Sequence, residues 1–386
     1  MNVTAVMIML QHRHGAAAIA VYFLARTAAP YLFSRPVVSA MPPRLIGSAW
    51  ASSQATLALL MLGLALFNQN DALLVILLAV AGVLQSATAA WLMHIAEVTS
   101  QDDRKALITA ISTGTSVAIV VGPALGGILS SWGGLLSVFA FDSATFAASL
   151  LLVPWSGLPA SLRQQAAQWS AAQLLLRALI PVKPHMNAWV WPLAAVWIAF
   201  GLFGGLLTAI ETPVFATLKG FSPDQIGAAI SAYGLGGLVI FLASTLFGFS
   251  NGYLSTSAVA VTGVLAWTLG ANWLLYPAFF VTGLGFALVN SAARVAFAEV
   301  FARSNVQTSE AWAWVNQLSL FTSVTSYLTA WIYFSLGDNL HLISGAVVAL
   351  GFTCLAFGVL WDVASKQRAT TAVTGHVQKA AASEVQ

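Results

Sequence analysis

The chain has 386 residues, 59% of them hydrophobic and 7% charged, where a soluble domain carries roughly 25% charged residues. So few charges cannot cover a soluble surface, and most of the chain must face lipid or other helices. The net charge of +3 is weak evidence for a nucleic-acid partner, because membrane topology accounts for the basic excess, and the single cysteine, Cys354, excludes an intramolecular disulfide and a cysteine metal cage.

Taken in chain order, the opening MNVTAVMIML is too short to cross a bilayer alone. Neither a basic lead nor a clear cleavage site marks it as a signal peptide. It reads as the tail of a first helix that is largely missing. Apolar runs of spanning length follow at about 15–38, 46–67, 72–96, 105–130 and 134–154. A polar stretch, 155–188, then interrupts the chain. Within it Leu162, Ala166, Trp169, Leu176 and Ile180 recur at helical spacing, which predicts a helix lying in the membrane interface, with a flexible linker as the plainer alternative. Six further runs come at about 189–210, 224–249, 254–270, 272–298, 310–335 and 340–361. Backbone groups in lipid must be satisfied within each segment, so these are helices. The ten-residue alternation of a barrel is absent. The expected fold is therefore an all-α polytopic membrane protein of two six-helix bundles, 1–154 and 189–363. A polar tail, 364–386, is predicted to be disordered and cytoplasmic.

Lysine and arginine placement sets the orientation. With 155–188 in the cytoplasm, that side holds Arg35, Arg44, Arg104, Lys105 and the basic residues of the linker and tail, while the opposite side holds only Arg13 and Lys219. The asymmetry predicts a cytoplasmic C-terminus. Trp132, Trp155, Trp189, Trp273 and Trp361 fall at span ends, as an aromatic belt requires.

Charges within spans are functional candidates by default, because each costs at least a few kcal/mol at the bilayer centre. Arg26 and Asp142 lie near mid-depth of their spans, so a structural pair between them is the leading reading and a proton or substrate role the other. Glu211, beside Thr212 and Pro213, is either a solvated loop charge or a group that gates the outer mouth and takes up protons. Gly122 and Gly126 are four apart and share a helix face, which permits close approach of a neighbour, and Pro123 between them removes a backbone donor. Gly201 and Gly205 repeat the spacing, with packing as the simpler explanation. The dispersed histidines make no metal site, and no Walker loop or nucleophile elbow is present. The sequence indicates no enzyme, cofactor or metal.

Three stretches carry a family resemblance. AEVTSQDDRKALITAISTGTSVAIVVGPALGGILSSWGG holds a G-P-x-x-G-G element at Gly122, Pro123, Gly126 and Gly127, and it is joined by DQIGAAISAYGLGGLVIFLAST and VTGLGFALVNSAARVAFAEVF. In order and spacing these resemble the fifth, eighth and tenth helices of major facilitator superfamily permeases of the bacterial drug and siderophore exporter type. The resemblance implies a multi-pass transporter of the cell (inner) membrane, acting as a monomer, that exports a small amphipathic molecule in exchange for protons. It also places Gln85, Thr88, Tyr233, Asn290, Trp312, Asn316 and Gln317 on helices that border a central cavity. The latch loop of the family matches Ser39–Arg44, which keeps Arg44 but has Pro43 where an aspartate is usual. That departure and the short first helix motivate a second reading, a non-transporting relative acting as a membrane scaffold or sensor.

Overall fold

The computed structural model describes residues 2–40, 46–67, 70–98, 101–151, 190–247, 252–302, 308–337 and 339–383. The predicted interfacial helix and Arg44 lie outside the described residues. The described chain forms eleven α-helices: α1 (Asn2–His14), α2 (Ala16–Ala40), α3 (Ile46–Phe67), α4 (Asp71–Val98), α5 (Gln101–Leu151), α6 (Val190–Pro213), α7 (Pro223–Phe247), α8 (Ser257–Leu269), α9 (Leu275–Ala302), α10 (Thr308–Leu336) and α11 (Leu340–Ser383). Six stretches among them are long and apolar enough to cross a bilayer unaided; Ala16–Pro30, Leu73–Ser86 and Leu254–Leu269 are apolar but shorter.

Local chemistry sets several boundaries. Before α7, Ser222-Pro223-Asp224-Gln225 forms half of a capping box, with the Ser222 amide donating to Gln225 Oε1 at 3.0 Å and proline at the first helical position. Asn70 and Asn339 accept side-chain caps from the amides of Leu73 and Leu342. The runs predicted at 105–130 and 134–154 form one element, α5, which breaks at Gly134 (φ 62°, ψ −159°), a backbone conformation that glycine alone adopts at no steric cost. Ser137 Oγ donates across the break to the Leu129 carbonyl at 2.6 Å. With α5 counted as two legs, each half has six. Helix α11 continues through Ser383, where a disordered tail is predicted. Ala364, Ala369, Ala372 and Ala380–Ala382 are strong helix formers and no proline intervenes, so helix propensity outweighs the polarity that suggested disorder.

Within the N-terminal half, the second leg of α5 packs on α3, with Ser143 Oγ donating to the Ala58 carbonyl at 2.8 Å and Ser149 Oγ to Gln54 Oε1 at 3.0 Å. The halves meet along two helix pairs. The first leg of α5 lies on α7, and α2 lies on α10. In each pair the second leg of one half packs on the fifth leg of the other, a two-fold relation that residue identity does not reveal. The α5–α7 crossing is backbone on backbone: a Cβ at Gly127 would meet the Pro223 carbonyl oxygen at 2.6 Å, and one at Gly227 would meet that of Pro123 at 2.6 Å. The space beside Gly201 and Gly205 is taken by Thr322 and Ser326 of α10, as the packing explanation of that pair requires.

One apolar cluster runs through both halves, from Val6 and Ile19 to Phe279 and Val347. A second sits at the end of the C-terminal half where α6 begins, around Trp197, Phe297 and Trp314. Trp361 belongs to this second cluster and is buried, unlike the exposed belt residues Trp132 and Trp273. Its place at a span end in the sequence hides its inward direction on α11.

The same cluster contains a buried cap. The Asp362 carboxylate accepts from the backbone amides of Leu254 at 2.9 Å and Ser255 at 2.8 Å, tying α11 to the start of α8. An alanine there strands two amides, at about 1–3 kcal/mol for each buried donor. Asp362→Ala is therefore expected to lower the thermal midpoint of the detergent-solubilised protein well below that of Asp362→Asn, which keeps one acceptor oxygen. Equal midpoints for the two would remove the cap from the account.

Candidate functional site

Helix α2 carries Tyr22, Phe23 and Arg26 into the interface between the halves. Tyr22 and Arg26 are four residues apart and so share a face. Arg26 donates to Tyr22 Oη at 2.7 Å and, across to α4, to Gln85 Oε1 at 3.3 Å. Fixing the fork of a guanidinium in this way offsets part of the cost of holding it away from bulk water. Phe23 stacks on Tyr327 of α10, with ring centroids 4.9 Å apart, so the two halves touch through aromatic faces at this level. Tyr327 lies within electrostatic reach of both Arg26 and Glu211.

Glu211 is 9% exposed and sits inside α6 rather than in a solvated loop. The helix continues past it because Pro213, which has no amide hydrogen, is followed by a π-helical turn, Val214–Leu218, rather than a stop. Thr212 Oγ1 donates to Met7 Sδ of α1 at 3.7 Å, and Gln11 Nε2 donates to Thr217 Oγ1 at 3.1 Å, so α1 closes against this end of α6.

A cavity of about 310 Å³ opens between α6, α7 and α9. Tyr233 and Asn290 line it together with Phe200, Gly283 and Phe286. The Phe286 ring lies 5.0 Å from that of Phe200 and 5.9 Å from that of Tyr233, giving the cavity an aromatic wall. Tyr233 is also within electrostatic reach of Glu211.

The other candidates divide. Thr88 is buried but shares a 2.7 Å hydrogen bond with Ser53, which ties α4 to α3 within one half. Gln317 is buried on α10, and Asn316, one residue earlier, is exposed. The Trp312 side chain lies outside the described residues. Asp142 is buried in the second leg of α5, and the bonds described for Arg26 run to Tyr22 and Gln85. On α5 the backbone contact with α7 is made by Gly127 and the Pro123 carbonyl, while Gly122 and Gly126 each precede one of these two residues. Tyr22 and Tyr327, which the sequence reading does not single out, also lie at this interface. Tyr22 carries a signal, its four-residue spacing from Arg26, while Tyr327 is some three hundred residues from Arg26 and carries none. Among the described residues no three His, Cys, Asp or Glu side chains gather as a metal site would need.

Comparison with known proteins agrees with this architecture. No curated protein matches the chain in sequence. Among solved structures, a bacterial homologue of the iron transporter ferroportin in an inward-facing state aligns with a TM-score of 0.63 at 13% identity, covering 92% of each chain. A variant of the peptide transporter POT in complex with alafosfalin aligns with a TM-score of 0.65 at 11% identity, covering 93% of this chain and 92% of that one. At such identities the likeness is one of fold. The family model of the Major Facilitator Superfamily matches residues 1–304. With twelve helical legs in two sets of six, joined second leg to fifth, and a family match over most of its length, the chain belongs to the Major Facilitator Superfamily of transporters.

Proposed function

We propose that this transporter exports a small amphipathic molecule, of the siderophore, antibiotic or toxic-metabolite kind, in exchange for protons. What supports the reading is a buried carboxyl, Glu211, on α6 of one half and an arginine, Arg26, on α2 of the other, three residues along α2 from Phe23, whose ring stacks across the halves on Tyr327. Rocking of two halves about such a point changes the solvent exposure of the carboxyl, and with it its proton occupancy. The aromatic cavity beside Tyr233 and Asn290 supplies the surface for the cargo's apolar part. Everted vesicles carrying a proton gradient test this directly. A panel of amphipathic aromatic compounds should include members that dissipate the gradient and accumulate inside only when the protein is present. Binding without gradient dissipation would end the exchange reading.

The proposed orientation puts the linker and the C-terminus in the cytoplasm of a cell whose inner membrane holds the protein, on the evidence of basic-residue placement. A reporter active only outside the membrane, fused after Val363, is expected to be silent. Reporter activity there would invert the topology and, with it, the direction of export.

A further inference from the structure

Lys219 is one of two basic residues that the charge asymmetry leaves on the side opposite the linker, and the structure places it at an unusual spot. A cleft of about 400 Å³ lies between the π-helical turn that ends α6, the end of α8 and the start of α11. Its floor is apolar, built from Val214, Leu265 and Val348, with Leu269 at the rim beside Lys219 and His341, while Ser344 is buried with its hydroxyl donating to the Leu340 carbonyl. Lys219 Nζ donates to the Gly270 carbonyl at 3.0 Å, which uses one of its three donors and pins the ammonium at the cleft. A lysine that merely snorkels would extend its head into water. None of the described lining residues is acidic. Helix α8 packs only on α9, α11 and the short turns beside it among the contacts described, so its remaining side faces outward, where Leu218 is 40% and Leu269 82% exposed.

We propose that this cleft binds the phosphate headgroup of an anionic phospholipid, with an acyl chain along Leu265, Leu269 and Val348. The free donors of Lys219 and the His341 ring match a phosphate oxygen set, and the apolar floor matches the first methylenes of a chain, whereas a free anion would leave that floor bare. The cleft adjoins the π turn, which begins three residues beyond Glu211, so an occupied cleft braces the end of α6 that carries Glu211.

The test is native mass spectrometry of the full chain in detergent, titrated with dioleoylphosphatidylglycerol, with dioleoylphosphatidylcholine and with inorganic phosphate. Phosphatidylglycerol should be retained at concentrations where phosphatidylcholine is not. Lys219→Gln should weaken retention about tenfold, as loss of one charge-assisted contact predicts, and Lys219→Arg should keep it. Gly345→Leu supplies a steric check that spares the lysine: no atom lies within 4 Å of a Cβ there, so the added side chain fills the cleft without displacing neighbours. It should block phosphatidylglycerol while leaving the thermal midpoint of the lipid-free protein unchanged. Equal retention of the two lipids, undiminished binding in both Lys219→Gln and Gly345→Leu, or competition by inorganic phosphate as effective as by lipid would each overturn the proposal.

Discussion

Gly127→Leu is expected to abolish transport and to reduce the amount of protein in the membrane several-fold. A Cβ at this position meets the Pro223 carbonyl oxygen at 2.6 Å and the Cα atoms of Gly227 and Asp224 at 3.1 and 3.2 Å. These are backbone atoms, which cannot rotate away as a side chain can. Alanine therefore forces α5 and α7 apart by part of an ångström, at about 1–3 kcal/mol for overpacking, and leucine separates them altogether. The reciprocal change, Gly227→Leu, meets the Pro123 carbonyl and the Gly127 backbone and should match it in effect. Immunoblots of membranes and transport by the residual protein measure both consequences. Full abundance and activity in Gly127→Leu would mean that the two halves do not meet here in the working protein.

The second large effect is expected at Glu211. Glu211→Gln keeps the size and hydrogen-bonding reach of the side chain but removes the group that would exchange a proton. Movement driven by the pH gradient should fall at least a hundredfold, while exchange of substrate against substrate, which needs no net proton movement, should continue at near the wild-type rate. Abundance should not fall, since a neutral amide is less costly than a carboxylate to bury. Loss of both activities together would make Glu211 a part of substrate binding instead, and retention of gradient-driven transport would move coupling to another group.

The layout was legible because the bilayer imposes a constraint that acts locally. Every span must be apolar over its own length, so the two sets of helices and the linker between them can be read from hydropathy without knowledge of contacts. The G-P-x-x-G-G element pointed to Gly122 and Gly126, whereas the backbone contact falls on Pro123 and Gly127, one residue round the helix; which face is used depends on the angle at which α7 crosses, which no residue of α5 encodes. The site was legible in part for a similar reason. Tyr233 and Asn290 line one cavity, and Gln85 meets Arg26, because family position predicts which helices face inward. Thr88 lies on such a helix yet serves a bond within one half, since a helix has more than one side. The bonds described for Arg26 include a neutral phenol, Tyr22, and an amide, Gln85, partners that a search for opposite charges passes over. Asp362 carries no sequence signal for its role, because its two amide partners lie more than a hundred residues away in the sequence.

The central claim is that substrate and proton movements are coupled through Glu211. Its most direct test is proton release in proteoliposomes containing only this protein, with a pH dye outside and substrate added on one side with no initial pH difference. The account predicts that a substrate gradient alone generates a pH gradient of opposite sense in wild-type liposomes and none in Glu211→Gln liposomes, although both exchange labelled for unlabelled substrate. Substrate accumulation with no pH change in wild type, or an identical pH change in the Glu211→Gln protein, would contradict it.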